Sequence, residues 1–497
     1  MINRLFQSKS EAFLFAVLFV SFGFFYQGGF SNQNSRYDLA LALVYDGTYA
    51  IDSFHTNTID KVKAGEHFYL EKSPLLAYLA LPAAAFTRLC VAREEFVHSE
   101  PLGDLSLYLA TLFSVGLFSA LAAVLFFRLL ATVRPGLDEK TRLALALLAY
   151  LGTLLFPYST VLFGHAVTAG LGVAFLGAAH GALLHATARR YFVSGLLAGL
   201  VVVSEFPCAL LVAPLAMALC VCGGRWSLFF ILGAGIPGLG LLAHNWASFG
   251  SPFQMGYGQL HGSPFETGMG VGLFGISWPR SWVALELLFG AYRGLLVYSP
   301  ALLLAILGYV HWIRDRKSDR LFCLGAFAGC AALVLGISGY SFWQGGPVFG
   351  PRHLVPLIPW LALGWAFAID TPAQRRSLVF LGVLSVGISL AGTAVYLFPS
   401  EQDFNPLANF YLPSLANGHV AMNPNSFLTG FYDQALRWQD ASDFRWSAWN
   451  WGEVLGLHGI ASLLVLLGIW IATGMVCFRQ RLHLKLSFGG NDNEKHS

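Results

Sequence analysis

FYLEKSPLLAYLALP, residues 68–82, sets a Glu-Lys pair directly in front of an apolar run. Whether that run crosses a bilayer decides on which side every later loop falls, and so decides the fold. Elsewhere the chain keeps charge out of such runs. Its 497 residues are 56% hydrophobic and only 11% charged, where a soluble domain carries about 25% charged residues. Apolar runs near or above ~18 residues recur from end to end, so the chain reads as an all-α polytopic membrane protein.

The apolar runs are 12–30, 104–127, 143–157, 159–187, 191–205, 207–222, 226–247, 294–313, 321–341, 353–370, 377–398 and 456–478. Pro157 and Glu205-Phe-Pro207 read as tight turns. The run 12–30 has no small-residue cleavage site and ends on Phe24, Phe25 and Tyr26, so it reads as a retained first helix. The positive-inside rule arbitrates on 73–91. If that run does not cross, Arg4, Lys9, Arg128, Arg134, Lys140, Arg142, Arg189, Arg190, Arg225, Arg314, Arg375 and Arg376 all fall on one side. The run therefore reads as a helix lying at or dipping into the outer interface. About twelve transmembrane helices (11–13) result, with interfacial helices in a long first outer loop and both chain ends cytoplasmic. Residues 1–398 form the bundle with outer loops 31–103 and 248–293, residues 399–455 an aromatic-rich outer loop, 456–478 the last crossing and 479–497 a cytoplasmic tail.

A net charge of +3 from scattered basic residues gives no footprint for nucleic acid. The seven cysteines lie in or beside apolar runs without metal-ligand spacing, and no disulfide framework is indicated. No internal repeat supports an inverted-repeat transporter. Membrane lipids are the evident surroundings.

The first outer loop is crowded with charge. Arg36 to Tyr45 reads as a short surface helix ended by Asp46-Gly47. Asp38, Asp52 and Asp60, with Glu71, stand among Arg36, Lys61, Lys63 and Lys72. A carboxylate can take a proton from a hydroxyl, and Arg or Lys can hold a phosphate whose charge grows as it leaves. In FWQGGPVFGPRHLVPLIP, Gly345, Gly346 and Gly350 allow close backbone approach, and Arg352 and His353 begin the next span. His165 and Glu205 are polar groups near the outer ends of their spans, and an ionisable residue at such depth faces a cavity or a partner. The loop 399–455, with Phe410, Tyr411, Phe427, Trp438, Trp449 and Trp451, suits stacking on a sugar. Acidic loops can hold a divalent ion, yet no spacing demands a metal or another cofactor.

SRYDLALAL, GEHFYLEKSPLLAYLALP, FGHAV, GLLAGLVVVSEFP, YRGLLVYSP and WQGGPVFGPRHLVPLIP follow one another in this order. With them the chain resembles the glycosyltransferase C superfamily, in particular bacterial relatives of dolichyl-phosphate-mannose–protein mannosyltransferases and of the aminoarabinose lipid A transferase. The resemblance implies an inverting glycosyltransferase of the bacterial inner membrane with its site facing the periplasm. A sugar would pass from a polyprenyl-phosphate donor to a lipid, glycan or protein acceptor. Lys72-Ser-Pro74 would meet the donor phosphate, together with Arg36, Arg352 and His353. Gln33, Asn34, Glu71, His165 and Glu205 would line the cavity. The superfamily's acidic pair before the arginine-tyrosine is replaced by Gln33 and Asn34, so the base is expected first at Asp60, then Asp52, then Asp38. A lipid-linked sugar flippase and a non-catalytic assembly subunit are the alternatives.

Overall fold

The computed structural model describes residues 6–258, 265–315, 319–429 and 447–488. The expected stacking role of Trp438, and residues 489–497 of the tail, lie outside the described residues. In chain order the main helices are α1 (Lys9–Gly23), α2 (Ser31–Leu41), α3 (Leu75–Cys90), α4 (Glu100–Val133), α5 (Glu139–Leu151), α6 (Gly164–Leu184) and α7 (Ala188–Ser204). They continue with α8 (Ala209–Gly223), α9 (Ser227–Phe249), α10 (Ser281–Phe289), α11 (Leu302–Asp315), α12 (Arg320–Ser338), α13 (Pro372–Val395) and α14 (Leu463–Phe488). Two short antiparallel pairs complete the described architecture: β1 (Phe25–Tyr26) with β4 (Trp449–Asn450), and β2 (Lys61–Ala64) with β3 (His67–Leu70).

A helix stands in each of the twelve predicted runs. The one at 353–370 is broken into 3-10, α and 3-10 turns by Pro356 and Pro359. Among the described residues, five stretches are long and apolar enough to cross a membrane, with Phe206–Phe249 counted as one. That stretch is two passes. Gly224 adopts φ 52°, ψ −123° after α8, a conformation closed to residues with a Cβ. Chain direction confirms the reversal. Gly195 of α7 packs on the Phe230 carbonyl of α9, and Gly199, four residues further on, packs on that of Ala234, so these two helices run parallel. Glycines at both positions let the backbones touch. α8 instead packs on α12 antiparallel, with Gly329 against Leu211 and Gly325 against Leu215.

The helix α3 does not cross the bundle. At its start the Ser73 hydroxyl donates to the Val203 carbonyl at the end of α7. Near its far end Thr87 bonds Ser106 at 2.8 Å. Ser106 lies in the first part of α4, whose 34 residues span roughly 50 Å, well beyond a hydrocarbon core of about 30 Å. Gly116, further along α4, is level with Ser159 at the entry to α6. The whole of α3 therefore lies at the end of the bundle where α7 finishes and α6 begins, as the basic loops required.

One expectation is corrected. The helix after the first span starts at Ser31 rather than Arg36, and every residue of it is buried rather than at the surface. Gly47 does end the following turn with φ 67°. The polar face of α2 is buried because distant chain satisfies it. Asn34 Nδ2 donates to the carbonyls of Asn57 (3.0 Å) and Phe427 (3.4 Å), and the Ser31 hydroxyl accepts from the N–H groups of Ile59 and Asp60.

Candidate functional site

The ends of α7 and α8, the first loop, the 248–293 segment and the start of the 353–370 run enclose a cavity of about 370 Å³. Arg36, Lys72, His165, Glu205, Arg352 and His353 all line it. Six residues expected at the site from four separate regions of sequence thus meet in one place.

Helix α2 supplies Arg36, whose guanidinium is held by the backbone and side-chain oxygens of Asn32, one turn earlier. Its other terminal nitrogen lies 3.6 Å from Glu205 Oε1. Glu205 ends α7 and leans on Gly164, the first residue of α6. A Cβ at Gly164 would overlap that carboxylate, so FGHAV carries its glycine for Glu205. There the acid also meets the positive end of a 21-residue helix. His165, the next residue, brings Nδ1 to 3.5 Å from the same oxygen.

Lys72 enters from the strand end of β3. It is ion-paired with Glu71 and lies 3.6 Å from Asp60 Oδ1. Tyr257 and Phe265 flank its ammonium at 5.8 and 5.3 Å from their ring centres. Burial works against the charged lysine, yet Asp60 and Glu71 outweigh it and raise its pKa. Burial pushes Glu71 up to about 7, against the pull of Lys72. Glu71 therefore keeps a proton in acid and becomes a full partner of Lys72 only near neutrality and above.

Arg352 stands at the glycine turn. Gly345, Gly346 and Gly350 have φ of 76°, 76° and 67°, the left-handed region that glycine enters without strain. Among the described residues the Arg352 guanidinium has no ion pair or hydrogen bond; it lies 5.7 Å from the Phe163 ring centre. His353 packs edge-on to His165 and Tyr340, and its Nε2 is buried without a hydrogen-bond partner among the described residues.

The other expected residues lie elsewhere. Gln33 and Asn34 do not line the cavity. Gln33 donates to the Gly28 carbonyl, and its Oε1 accepts from Leu162 N–H at 3.4 Å, while Asn34 is taken up by backbone. Glu71 and Asp60 sit behind Lys72 rather than on the cavity wall. Asp52 is on the surface side of the hairpin, 2.6 Å from His67 Nδ1. Despite partial burial, the Phe68 N–H and His67 hold Asp52 below the usual carboxylate range. Asp38 is fully buried beneath Asn57, 3.1 Å away, and burial raises its pKa well above normal. Of the described aromatics of the last loop, Phe410, Tyr411 and Phe427 are buried in the core and Trp449 packs on Tyr26 and Tyr108, while Phe404 and Trp451 are exposed. Among the described residues no three His, Cys, Asp or Glu side chains group to hold a metal ion.

The sequence reading passed over three features. Asn32 orients Arg36. Tyr257 and Tyr340 line the cavity with the hairpin Leu273–Ile276. Arg293 is fully buried and ties the glycine turn by donating to the carbonyls of Gln344 (2.8 Å), Gly346 (2.8 Å) and Tyr292 (3.1 Å). Its position in YRGLLVYSP, an arginine inside an otherwise uncharged stretch, was the available signal.

Neither a family model nor a curated protein matches the chain. Several solved structures are similar. An oligosaccharyltransferase of Archaeoglobus fulgidus in the apo form is 13% identical with a TM-score of 0.47, covering 79% of this chain and 57% of its own. The same organism's oligosaccharyltransferase in complex with an inhibitory peptide and a dolichol-phosphate gives 13% and 0.48, covering 80% and 57%. ArnT from Cupriavidus metallidurans bound to undecaprenyl phosphate gives 14% and 0.47, covering 82% and 68%. The chain thus spans a little over half the length of the oligosaccharyltransferase structures. Both proteins are glycosyltransferases of the superfamily that the sequence motifs resemble. At these identities and TM-scores the likeness bears on neither substrate nor mechanism, which rest on the cavity itself.

Proposed function

We propose that the protein is a membrane glycosyltransferase that moves a sugar from a polyprenyl-phosphate donor to a hydroxyl of a lipid, glycan or protein acceptor. The observation that carries this reading is one cavity in which Arg36, Lys72 and Arg352 meet beside a carboxylate, while Phe206, Leu210, Leu273 and Ile276 supply an apolar wall. Three cations and a greasy wall match an anionic headgroup on a hydrocarbon chain. The phosphate lies among Arg36, Lys72 and Arg352, and His353 Nε2 is a further polar contact. These side chains meet the phosphate charge, so the reading calls on no metal.

Glu205 takes the part of the base. It is the carboxylate on the cavity wall, and its Oε1 is buried without a hydrogen bond among the described residues. The acceptor oxygen forms a bond to the anomeric carbon as the bond from that carbon to the phosphate oxygen breaks. The hydroxyl proton passes to Glu205, the electron pair leaves with the phosphate, and a single displacement inverts the centre. Asp60 and Glu71 hold Lys72 in place. Asp52 and Asp38 take no part in this arrangement.

The setting is the bacterial inner membrane with the cavity towards the periplasm. In support, Arg134, Arg142, Arg189, Arg190 and Arg375 all lie at the opposite end of the helices. Membranes containing the protein and a radiolabelled polyprenyl-phosphate sugar test the reading. Wild type yields a labelled glycoside, Arg352→Ala fails to bind the donor, and Glu205→Gln binds it without transfer. Donor binding untouched by Arg352→Ala together with Lys72→Ala sinks the proposal. Movement of intact lipid-linked sugar across vesicles, with no glycoside formed, does so too and makes the protein a transporter.

A further inference from the structure

At the end of the bundle remote from the first cavity, a second cleft of about 480 Å³ opens between the α4–α5 loop and the start of α13. Five charged side chains line it: Arg134, Asp138, Lys140, Asp370 and Arg375. Three of them are committed to the fold. Arg134 donates to the Ala366 carbonyl and to the Asp370 carboxylate. Asp138 caps α5, accepting from the N–H groups of Lys140 (3.1 Å) and Thr141 (3.0 Å) and from the Thr141 hydroxyl (2.6 Å). Both carboxylates are therefore already in use.

The two remaining cations are not. Arg375 uses only Nε, which donates to the Ile369 carbonyl at 2.7 Å. Among the described residues its two terminal nitrogens and the Lys140 ammonium have neither a hydrogen bond nor an ion pair. Their cleft is also flanked by the first turns of α5 and α13, whose dipoles add positive potential. An anion is the complementary ligand.

The walls say which kind of anion. Ala144, Leu145 and Leu378 form an apolar floor. Beyond the cleft α13 continues as a bare strip: Val379, Phe380 and Val383 are 67, 71 and 70% exposed. A soluble anion gains nothing from that strip, whereas acyl chains lie along it. Basic pockets between helices on the side rich in Lys and Arg are where anionic headgroups bind.

We propose that this cleft binds the headgroup of an anionic phospholipid, with Lys140 and Arg375 on its phosphate and its acyl chains along Val379, Phe380 and Val383. The site is independent of the transfer reaction assigned to the other cavity.

Native mass spectrometry of the full chain in nonionic detergent, titrated with phosphatidylglycerol, tests it. Wild type takes up one tightly held lipid. Lys140→Gln with Arg375→Gln weakens uptake about thirtyfold, the effect of two surface charges, while thermal unfolding without lipid shows the variant still folded. The charge-keeping pair Lys140→Arg with Arg375→Lys retains the lipid. Phosphatidylcholine binds no more tightly to wild type than to the Gln pair. An equal loss in Arg376→Gln, a neighbouring charge outside the cleft, overturns the proposal. So does unchanged uptake by the Gln pair. Inorganic phosphate that competes as strongly as the lipid also overturns it, by making the ligand a soluble phosphate.

Discussion

Gly164 is shaped to the carboxylate of Glu205: the space a Cβ would fill at position 164 is occupied by Glu205 Oε1. Gly164→Ala moves the acid away from Arg36 and His165 while leaving the helix itself intact. Transfer should fall by about a hundredfold, as for a misplacement of roughly 1 Å in a catalytic constellation. Donor binding should stay within a few-fold. The comparison of turnover with binding in the same membranes checks both.

The pairing of Lys72 with Glu71 predicts a pH effect on binding. Burial lifts Glu71 to about 7, so below that pH the acid is protonated and Lys72 answers chiefly to Asp60. As pH rises through 7 Glu71 gains a negative charge beside Lys72, with Arg36 and Tyr257 the other ionisable groups near them. Affinity for the sugar-loaded donor, a phosphodiester whose own charge is constant over this range, should drop about tenfold between pH 6 and 8. In Glu71→Gln that step should vanish. Its persistence there would assign the titration to His165 or His353 instead.

Arg293 predicts a stability effect distinct from catalysis. Replacing this buried side chain with Met leaves the carbonyls of Gln344, Gly346 and Tyr292 without their donor. The loss should be about 1–3 kcal/mol for each buried carbonyl left without a donor, seen as a clear drop in thermal unfolding temperature in detergent. Arg352→Met, by contrast, removes a guanidinium that makes no bond within the described fold. It should leave stability unchanged or improved while abolishing donor binding.

The position of α3 is open to a labelling test. On a background lacking native cysteines, Lys63→Cys and Glu94→Cys flank this helix, and both sites are exposed. A membrane-impermeant maleimide should reach both from the same side. Lys140→Cys and Arg189→Cys should label from the other. Labelling of positions 63 and 94 from opposite sides would mean that α3 crosses after all.

Much of this was legible in the sequence, for identifiable reasons. Lys72, Arg352 and Glu205 stand out because charge at the edge of an apolar run is costly and needs a purpose. The helices were legible because their apolar lengths are set by the bilayer. Charge alone could not rank the acids of the first loop. Asp52 and Asp60 look alike in sequence, yet one faces His67 on an exposed hairpin and the other lies behind Lys72. The helix Ser31–Leu41 misled because SNQNSRYD has the composition of a surface. Its amides are met by Asn57 and Phe427, and no local pattern announces partners so far along the chain.

That long-range closure bears on biogenesis. Asn34 and its acceptor at Phe427 are 393 positions apart, and Asn423 Nδ2 donates to the carbonyls of Gln27 and Gly29. A ribosome releases the first of these groups long before the last, so the nascent chain is inserted with the amides around α2 still unmet. The buried polar seat of α2 is then completed only in the final stage of translation, and products cut short before residue 423 carry that helix without its closing partners however many helices they have already threaded.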